Sequence, residues 1–245
     1  MALMSKYTFP SPDSSVSISE TKTSNGVRVK IYQPPNLQPG RTLMVYIHGG
    51  GYALGAADLD DGFVCRHATD TGLLFVSVEY RLTPKHPFPA GLDDCKAAFD
   101  WAAEHAESLG AKPGKVALMG GSAGATLALG TALMAVDAGQ GATVRGVVAG
   151  VPISCHPDAV PEDLRSRYTS YDEHAEHTID TKAAMKVFLG THPLPWRAVF
   201  TGLIACHCRH IRSSARQQIR VPATASAFGG ATTRLSQRLW RGHAS

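Results

Sequence analysis

Ser122 stands in a sequence pattern that prepares a serine hydroxyl for nucleophilic attack. Residues 120–124 read GGSAG, a G-x-S-x-G motif between an apolar stretch and a run of small helix-forming residues. In such a nucleophile elbow the serine occupies a sharp, strained turn, and the flanking glycines remove side chains that would collide with neighbouring backbone. The N-terminus of the following helix favours negative charge at the reacting centre. The motif predicts Ser122 as a nucleophile, with Gly120 and Gly124 as its support.

A run of three glycines after an apolar stretch forms the second pattern with chemical meaning. The pattern consists of His48, Gly49, Gly50 and Gly51, and it precedes the serine by a spacing typical of an HGGG oxyanion motif. One N–H donor to a developing oxyanion stabilises the transition state by about 3 kcal/mol. We therefore predict the N–H groups of Gly49, Gly50 and Ala123 as an oxyanion hole. His48 and Gly51 are interpreted as support, because His48 lies on the oxyanion side of the serine.

With these two motifs the sequence resembles the hormone-sensitive-lipase-like family of α/β-hydrolases, which includes bacterial and fungal carboxylesterases and arylacetamide deacetylases. Residues 80–90 (YRLTPKHPFPA), followed by Asp93 and Asp94, are similar to a third motif of that family. The three motifs have the family's order and spacing, and the likeness covers residues 25–155. The resemblance implies an α/β-hydrolase fold with an eight-stranded sheet, catalysis by Ser, Asp and His, and no cofactor.

The chain departs from the family beside the serine and at the rest of the triad. Gly121 stands where the family usually has Asp, and Ala125 where it usually has a second Gly. In the family the acid follows the nucleophile by about 90 to 100 residues and the base by about 120 to 130. Here the first window contains no Asp or Glu, and the second contains only His243. His243 is therefore the positional candidate for the base, and no residue is assigned as the acid.

The acids and histidines that follow the last predicted strand lie too early in the chain to complete a triad. They are interpreted as charges on a solvated surface: Asp158, Asp163, Asp172, His174, His177 and Asp180. Cys206, Cys208 and His210 raise the question of a metal, but their spacing is not that of a standard zinc site. We predict neither a metal nor a cofactor.

The segments around the motifs predict an α/β fold. Five stretches have the alternating or β-rich composition of strands: residues 27–32, 42–47, 73–80, 115–119 and 144–151. Two stretches have helical composition, with a tight turn at 120–124 before the second: residues 91–109 and 125–136. Because strands alternate with helices, we expect a mainly parallel sheet with helices on both faces.

Charge divides the chain into two parts. All 20 acidic residues lie within residues 1–180, whereas residues 181–245 carry ten Lys or Arg and no acid. Residues 191–245 contain eight Arg, no Lys and no clear periodicity. We predict a partial α/β-hydrolase core over residues 1–190 and an Arg-rich tail without a predicted fold over residues 191–245. A shifted reading frame, an unspliced intron or a wrong gene model would explain these features of the tail together.

Composition argues against several classes of protein. The five cysteines lack framework spacing, which favours a reducing compartment. The first residues lack the apolar core of a signal peptide, and no segment reaches the roughly 18 apolar residues of a membrane span, so we expect a cytoplasmic location and no membrane partner. The tail has neither a regular helical face nor interleaved aromatic residues, so we predict no nucleic-acid partner.

These observations favour a serine carboxylic-ester hydrolase that acts on a small apolar ester through an acyl-enzyme. Fungal members of the family imply a secondary-metabolite pathway, and a thioester or lactone substrate stays open. The alternative is a truncated, catalytically dead hydrolase or a small-molecule-binding relative such as the gibberellin receptors. A covalent serine probe distinguishes the two, since binding alone needs no activated Ser122. The sequence leaves the oligomeric state open.

Overall fold

The computed structural model describes residues 10–153, 156–160, 162–173, 175–176 and 181–190. The strands in this part of the chain are β1 (Ser17–Lys22), β2 (Arg28–Gln33), β3 (Leu43–Ile47), β4 (Phe75–Val78), β5 (Val116–Gly121) and β6 (Val144–Gly150). They form one six-stranded sheet in the order β1-β2-β4-β3-β5-β6. Pairing is antiparallel at β1–β2 and β2–β4 and parallel from β4 to β6. The predicted mainly parallel sheet is therefore confirmed.

The helices are α1 (Asp61–Thr71), α2 (Ala90–His105), α3 (Ala123–Asp137), α4 (Glu162–Arg165), α5 (Ser170–Glu173) and α6 (Lys182–Gly190). Two 3₁₀ turns accompany them, at Ala57–Asp60 and Pro157–Ala159. Helix α1 packs on one face of the sheet, whereas α2 and α3 pack on the other. Helices on both faces were expected from the sequence, and the structure confirms them.

Alternation along the strands creates the two layers of the core. Val45 and Ile47 of β3 face α2 and α3, whereas Tyr46 between them joins Phe75 in the smaller cluster beneath α1. Successive strand residues point to opposite faces, so each strand contributes to both layers. The sheet thus holds the ends of β3 and β5, where the two sequence motifs begin, in one rigid layer.

The sequence did not predict helix α1, and helix α3 begins two residues before its predicted start. Helix α1 buries Val64, Cys65 and Ala68, and it ends at Gly72, whose φ of 65° is the left-handed conformation of a helix cap. The predicted turn at residues 120–124 is also wrong in detail. Strand β5 runs through Gly121 and α3 begins at Ala123, so the reversal is confined to Ser122.

The family resemblance implied eight strands and the sequence predicted a partial core; the sheet has six strands in the part of the chain that the structure describes. Lys30 and Tyr32 of β2 are both buried. Their face of β2 is covered because residues 57–61 pack against it.

The predicted tail at residues 191–245, with His243 and the cysteines Cys206 and Cys208, lies outside the described residues. None of the described helices has the length and apolar character that a membrane crossing requires. Within the described ranges no three His, Cys, Asp or Glu side chains gather where they could hold a metal ion.

Four buried tyrosines predict alkaline instability. Burial raises the pKa of Tyr32, Tyr46, Tyr52 and Tyr80 above the ordinary tyrosine range. A raised pKa stabilises the fold fully below the unfolded value, near 10, and this contribution is lost as pH rises further. Each such tyrosine should lower the free energy of unfolding by about 1.4 kcal/mol per pH unit above that value. Urea unfolding between pH 8 and pH 11 would measure this slope.

A Tyr46→Phe variant provides the control for this prediction. It removes one titrating hydroxyl, so its free energy of unfolding should fall less steeply with pH. The difference in slope should equal the contribution of one tyrosine. An identical slope in the variant and the unaltered chain would show that Tyr46 does not contribute.

Candidate active site

Ser122 occupies a strained backbone conformation between β5 and α3. Its φ of 51° and ψ of −121° make it one of three non-glycine residues at positive φ among those described. Such a conformation costs about 1–3 kcal/mol and persists only where surrounding structure enforces it. The Ser122 N–H donates to the Gly150 carbonyl at 2.8 Å, and the Ser122 carbonyl accepts from the N–H of Ala125 at 3.0 Å. Strand pairing on one side and helix α3 on the other therefore hold the serine in place.

The glycines on either side of the serine are required by close backbone approach. A Cβ on Gly120 would lie 2.4 Å from the carbonyl carbon of Gly124. A Cβ on Gly124 would lie 2.1 Å from the Ile47 oxygen, because the start of α3 packs directly on the end of β3. By contrast, a Cβ on Gly121 would meet nothing within 4 Å. The position where the family usually has Asp therefore has open space.

The structure brings the glycine loop, residues 48–51, against the nucleophile elbow. The Cβ position of Gly49 lies 3.8 Å from the Ser122 Cβ and 3.0 Å from the Gly121 oxygen. Gly50 and Gly51 have φ values of 116° and 61°, conformations that favour glycine. No backbone carbonyl of the described residues accepts a hydrogen bond from the N–H of Gly49, Gly50 or Ala123. The Gly49 backbone thus lies beside the serine, and the three predicted oxyanion donors are not paired with a backbone carbonyl of the described residues.

His48 is built into this loop. Its ring is buried and stacks on Tyr80 at 4.2 Å, and its Nδ1 lies 2.7 Å from the Gly49 oxygen. Burial lowers the pKa of His48, so the ring stays neutral near pH 7. A Cβ on Gly55 would lie 2.5 Å from His48 Nδ1, so Gly55 leaves room for the ring. These contacts favour the interpretation of His48 as a support of the loop.

Tyr80 contacts the glycine loop, a role that its place in the third motif did not indicate. Its hydroxyl donates to the His48 carbonyl at 3.0 Å, and its ring covers the imidazole. The following residue, Arg81, binds Asp94 of α2 through two side-chain nitrogens and its backbone N–H. The third motif of the sequence therefore contacts the glycine loop through Tyr80. Its residues were recognised as a pattern, but their contact with His48 depends on the folded chain.

Neutralising Asp94 should lower the stability of the fold, whereas neutralising its neighbour Asp93 should not. Asp94 is 5% exposed and pairs with Arg81, which is 50% exposed. Asp94→Asn should lower the free energy of unfolding by about 2 kcal/mol, since it removes charge-assisted hydrogen bonds but leaves Arg81 in contact with water. Asp93 is exposed, and local desolvation and the charge of Asp94 raise its pKa. Asp93→Asn should therefore leave stability unchanged or slightly higher.

Urea unfolding of the two variants at pH 7 tests this pair. Asp93→Asn is the matched control, because the same chemical change is made one position away on the same helix. Equal losses of stability in both variants would contradict the importance of the Arg81 contact.

Thr126 connects the elbow helix to the segment after β6. Its hydroxyl donates to the Ile153 carbonyl at 3.1 Å and accepts from the Ile153 N–H at 3.0 Å. The carbonyl of Tyr52 accepts from the N–H of Thr83 at 2.9 Å, which connects the residue after Gly51 to the segment that follows β4. Helix α6 places the Phe188 ring 2.6 Å from the Cβ position of Gly51. Phe188 of α6 and Tyr80 therefore both contact the glycine loop.

The base and acid of a triad are not assembled within the described residues. No described side chain makes a hydrogen bond to the Ser122 hydroxyl. His243, the candidate base, lies outside the described residues, as do His174, His177 and Asp180. Asp158, Asp163 and Asp172 are exposed, in agreement with their interpretation as surface charges.

Comparison with known sequences decides the family. The family described as alpha/beta hydrolase fold matches residues 44–199, which include the glycine loop, the elbow and α6. This chain belongs to the α/β-hydrolase fold family. The family expected from the sequence motifs is therefore confirmed.

Individual relatives of this α/β-hydrolase match much of the chain. A protein named FAD-linked oxidoreductase pytB, from Aspergillus terreus, is 44% identical over 193 residues, which are 79% of this chain and 23% of that protein. Versiconal hemiacetal acetate esterase of Aspergillus parasiticus is 39% identical over 202 residues, or 82% of this chain and 62% of the esterase. The solved hyperthermophilic esterase of Pyrobaculum calidifontis has a TM-score of 0.67 at 31% identity, covering 78% of this chain and 61% of that one. The chain spans less than two thirds of each.

Proposed function

We propose that this chain is a serine carboxylic-ester hydrolase that works through an acyl-enzyme. The observation that carries the proposal is the strained Ser122 at the start of α3 with the Gly49 backbone packed against it. A nucleophile at a strand-to-helix turn, facing unpaired N–H donors, is suited to the tetrahedral intermediate of acyl transfer. The esterases among the relatives support the same chemistry.

In the proposed reaction, the Ser122 hydroxyl oxygen attacks the ester carbonyl and loses its proton to a histidine base. The N–H groups of Gly49, Gly50 and Ala123 hold the negative oxygen of the intermediate. The alcohol leaves with the proton from the base, and a water molecule then releases the acid in the same manner. His243 stays the proposed base, and the acid of the triad is unassigned.

We propose a small apolar ester as the substrate, within a secondary-metabolite pathway. Support comes from the relative named versiconal hemiacetal acetate esterase, whose name specifies an acetyl group. The aromatic Tyr52 and Phe188 beside the glycine loop give the site an apolar border. A reaction of this type needs no cofactor, metal or nucleic acid. We also propose the cytoplasm as its location, from cysteine usage, and residues 1–190 as the hydrolase unit.

A second candidate is a non-catalytic protein that binds a small molecule in the same site. The observation in its favour is that no described side chain makes a hydrogen bond to the Ser122 hydroxyl. Without a base, a serine loses several orders of magnitude in reactivity, although the pocket and the oxyanion donors would persist.

Hydrolysis of p-nitrophenyl acetate and labelling by a fluorophosphonate probe test the proposal together. We expect turnover and a single adduct, found by mass spectrometry on the peptide that contains Ser122. Heat-denatured protein is the control for labelling, because the reactivity of the serine depends on the folded elbow. A folded chain that binds esters without turnover or adduct would support the binding candidate and contradict the esterase.

A further inference from the structure

One face of β2 holds the segment that follows the glycine loop. Arg28, Lys30 and Tyr32 alternate along the strand, so their side chains lie on the same face. All three bind carboxylates of residues 57–61, which form a 3₁₀ turn and the first residue of α1. We call these three side chains with Asp58 and Asp61 the charged anchor.

Lys30 is at the centre of the charged anchor. Its Nζ lies 2.7 Å from Asp58 Oδ1 and 2.6 Å from Asp61 Oδ1, and its side chain is 5% exposed. The Tyr32 hydroxyl donates to the same Asp61 oxygen at 2.7 Å. Arg28 binds Asp58 from the other side, at 2.8 Å. Because water is largely excluded at Lys30, these interactions are screened less than surface ion pairs.

The carboxylates of the anchor lie directly beyond the glycine loop. Residues 48–57 run from His48 past Gly55, which packs on the His48 ring, to Ala57. The N–H of Ala57 donates to Glu79 Oε2 at 2.8 Å, one residue before Tyr80. The segment of residues 48–57 therefore follows β3 at one end and adjoins the anchor on β2 at the other.

We propose that Lys30 and Tyr32 are positioning residues for the oxyanion hole. They hold residues 57–61 against β2, which keeps Gly49 and Gly50 beside Ser122. This inference rests on the proposed function for its catalytic consequence. Neither residue contacts the reacting atoms, so both act through the loop.

Loss of the Lys30 charge should loosen the loop for an identifiable reason. Asp61 would keep only the Tyr32 hydroxyl as a partner, and a poorly paired carboxylate in a largely buried place is unfavourable. Residues 57–61 would then move toward water and draw the glycine loop with them. Oxyanion donors act over about 2.7–3.1 Å, so a small displacement weakens them.

The variant Lys30→Met tests the inference, with Lys96→Met as its matched control. Lys96 is also a largely buried lysine, 15% exposed, and it is paired with Asp100 and Gln140 away from the glycine loop. Burst titration counts the active sites. The value of kcat is then calculated per active site, so that unfolded protein does not lower it. We expect kcat per active site to fall about tenfold or more in Lys30→Met, with KM within about twofold. Lys96→Met should change neither.

Amide hydrogen exchange over residues 49–57 measures how often this segment opens, and it does not depend on catalysis. We expect exchange at least about fivefold faster in Lys30→Met and unchanged in Lys96→Met. Should Lys30→Met not fold, Tyr32→Phe removes a single hydrogen bond of the anchor and should show the same pattern more weakly.

The outcomes separate the two proposals. If the unaltered chain hydrolyses no ester but exchange rises only with loss of Lys30, the proposed function fails and the positioning role stands. Equal exchange in the Lys30 and Lys96 variants would overturn the positioning role, whether or not the chain is an esterase. So would an unchanged kcat per active site in an active enzyme.

Discussion

The Ser122→Ala variant is expected to hydrolyse p-nitrophenyl acetate about 10⁴-fold more slowly than the unaltered chain, or at the background rate. The reason is that the acyl-enzyme cannot form without the hydroxyl, whereas the oxyanion donors and the site remain. The melting temperature should change by no more than about 2 °C, because alanine experiences the same strained φ as serine. Initial rates and a thermal melt of both proteins provide the measurement.

Ser77→Ala is the matched control for this loss. Ser77 is a buried serine of β4 whose hydroxyl has no partner among the described residues. Its removal should leave the rate unchanged and stability equal or higher, since a buried unpaired hydroxyl is unfavourable. Retention of most of the rate in Ser122→Ala would show that hydrolysis does not proceed through this serine.

Gly124→Ala is expected to lower the free energy of unfolding by more than about 3 kcal/mol and kcat by more than about 100-fold. The new methyl group would lie 2.1 Å from the Ile47 oxygen and 2.5 Å from the His48 oxygen. Both contacts are with backbone, which cannot rotate away as a side chain can. Helix α3 would have to separate from β3, and Ser122 would move away from the glycine loop. Urea unfolding and ester hydrolysis would measure the two effects.

Gly121→Ala provides the comparison for Gly124→Ala. The residue lies in the same elbow, but a methyl group there meets nothing within 4 Å. It should fold with nearly unchanged stability. A loss of stability as large as that of Gly124→Ala would indicate that the elbow tolerates no substitution at either position, and it would contradict the steric explanation.

The local parts of the fold and of the site could be predicted from the sequence. The stretches around β3, β5 and β6 are apolar runs, and α2 has a helical repeat of apolar residues, so neighbouring residues alone indicate them. The elbow and the glycine loop are also short, and glycine is needed where backbones approach closely. Helix α1 was not predicted from the sequence because it has few buried residues and no basic residue or proline marks its end.

Contacts between distant residues could not be predicted in the same way. Lys30 and Asp61 are 31 positions apart, and an alternating strand such as β2 normally turns its charged residues to water. Tyr80 likewise approaches His48 across 32 positions. Their roles depend on the order of the strands, because β2 and β4 are neighbours in the sheet but not in the chain.

The sequence by itself determined the candidate chemistry of this protein, since a serine between glycines and a glycine triplet after an apolar strand specify their own backbone conformations. Only the tertiary structure decided that Gly49 packs on Ser122 and that the buried Lys30 binds Asp61 in the segment beyond the loop. The physical reason is the range of the interactions. Steric limits on the backbone act between neighbouring residues, whereas burial and ion pairing depend on which strands the fold places side by side.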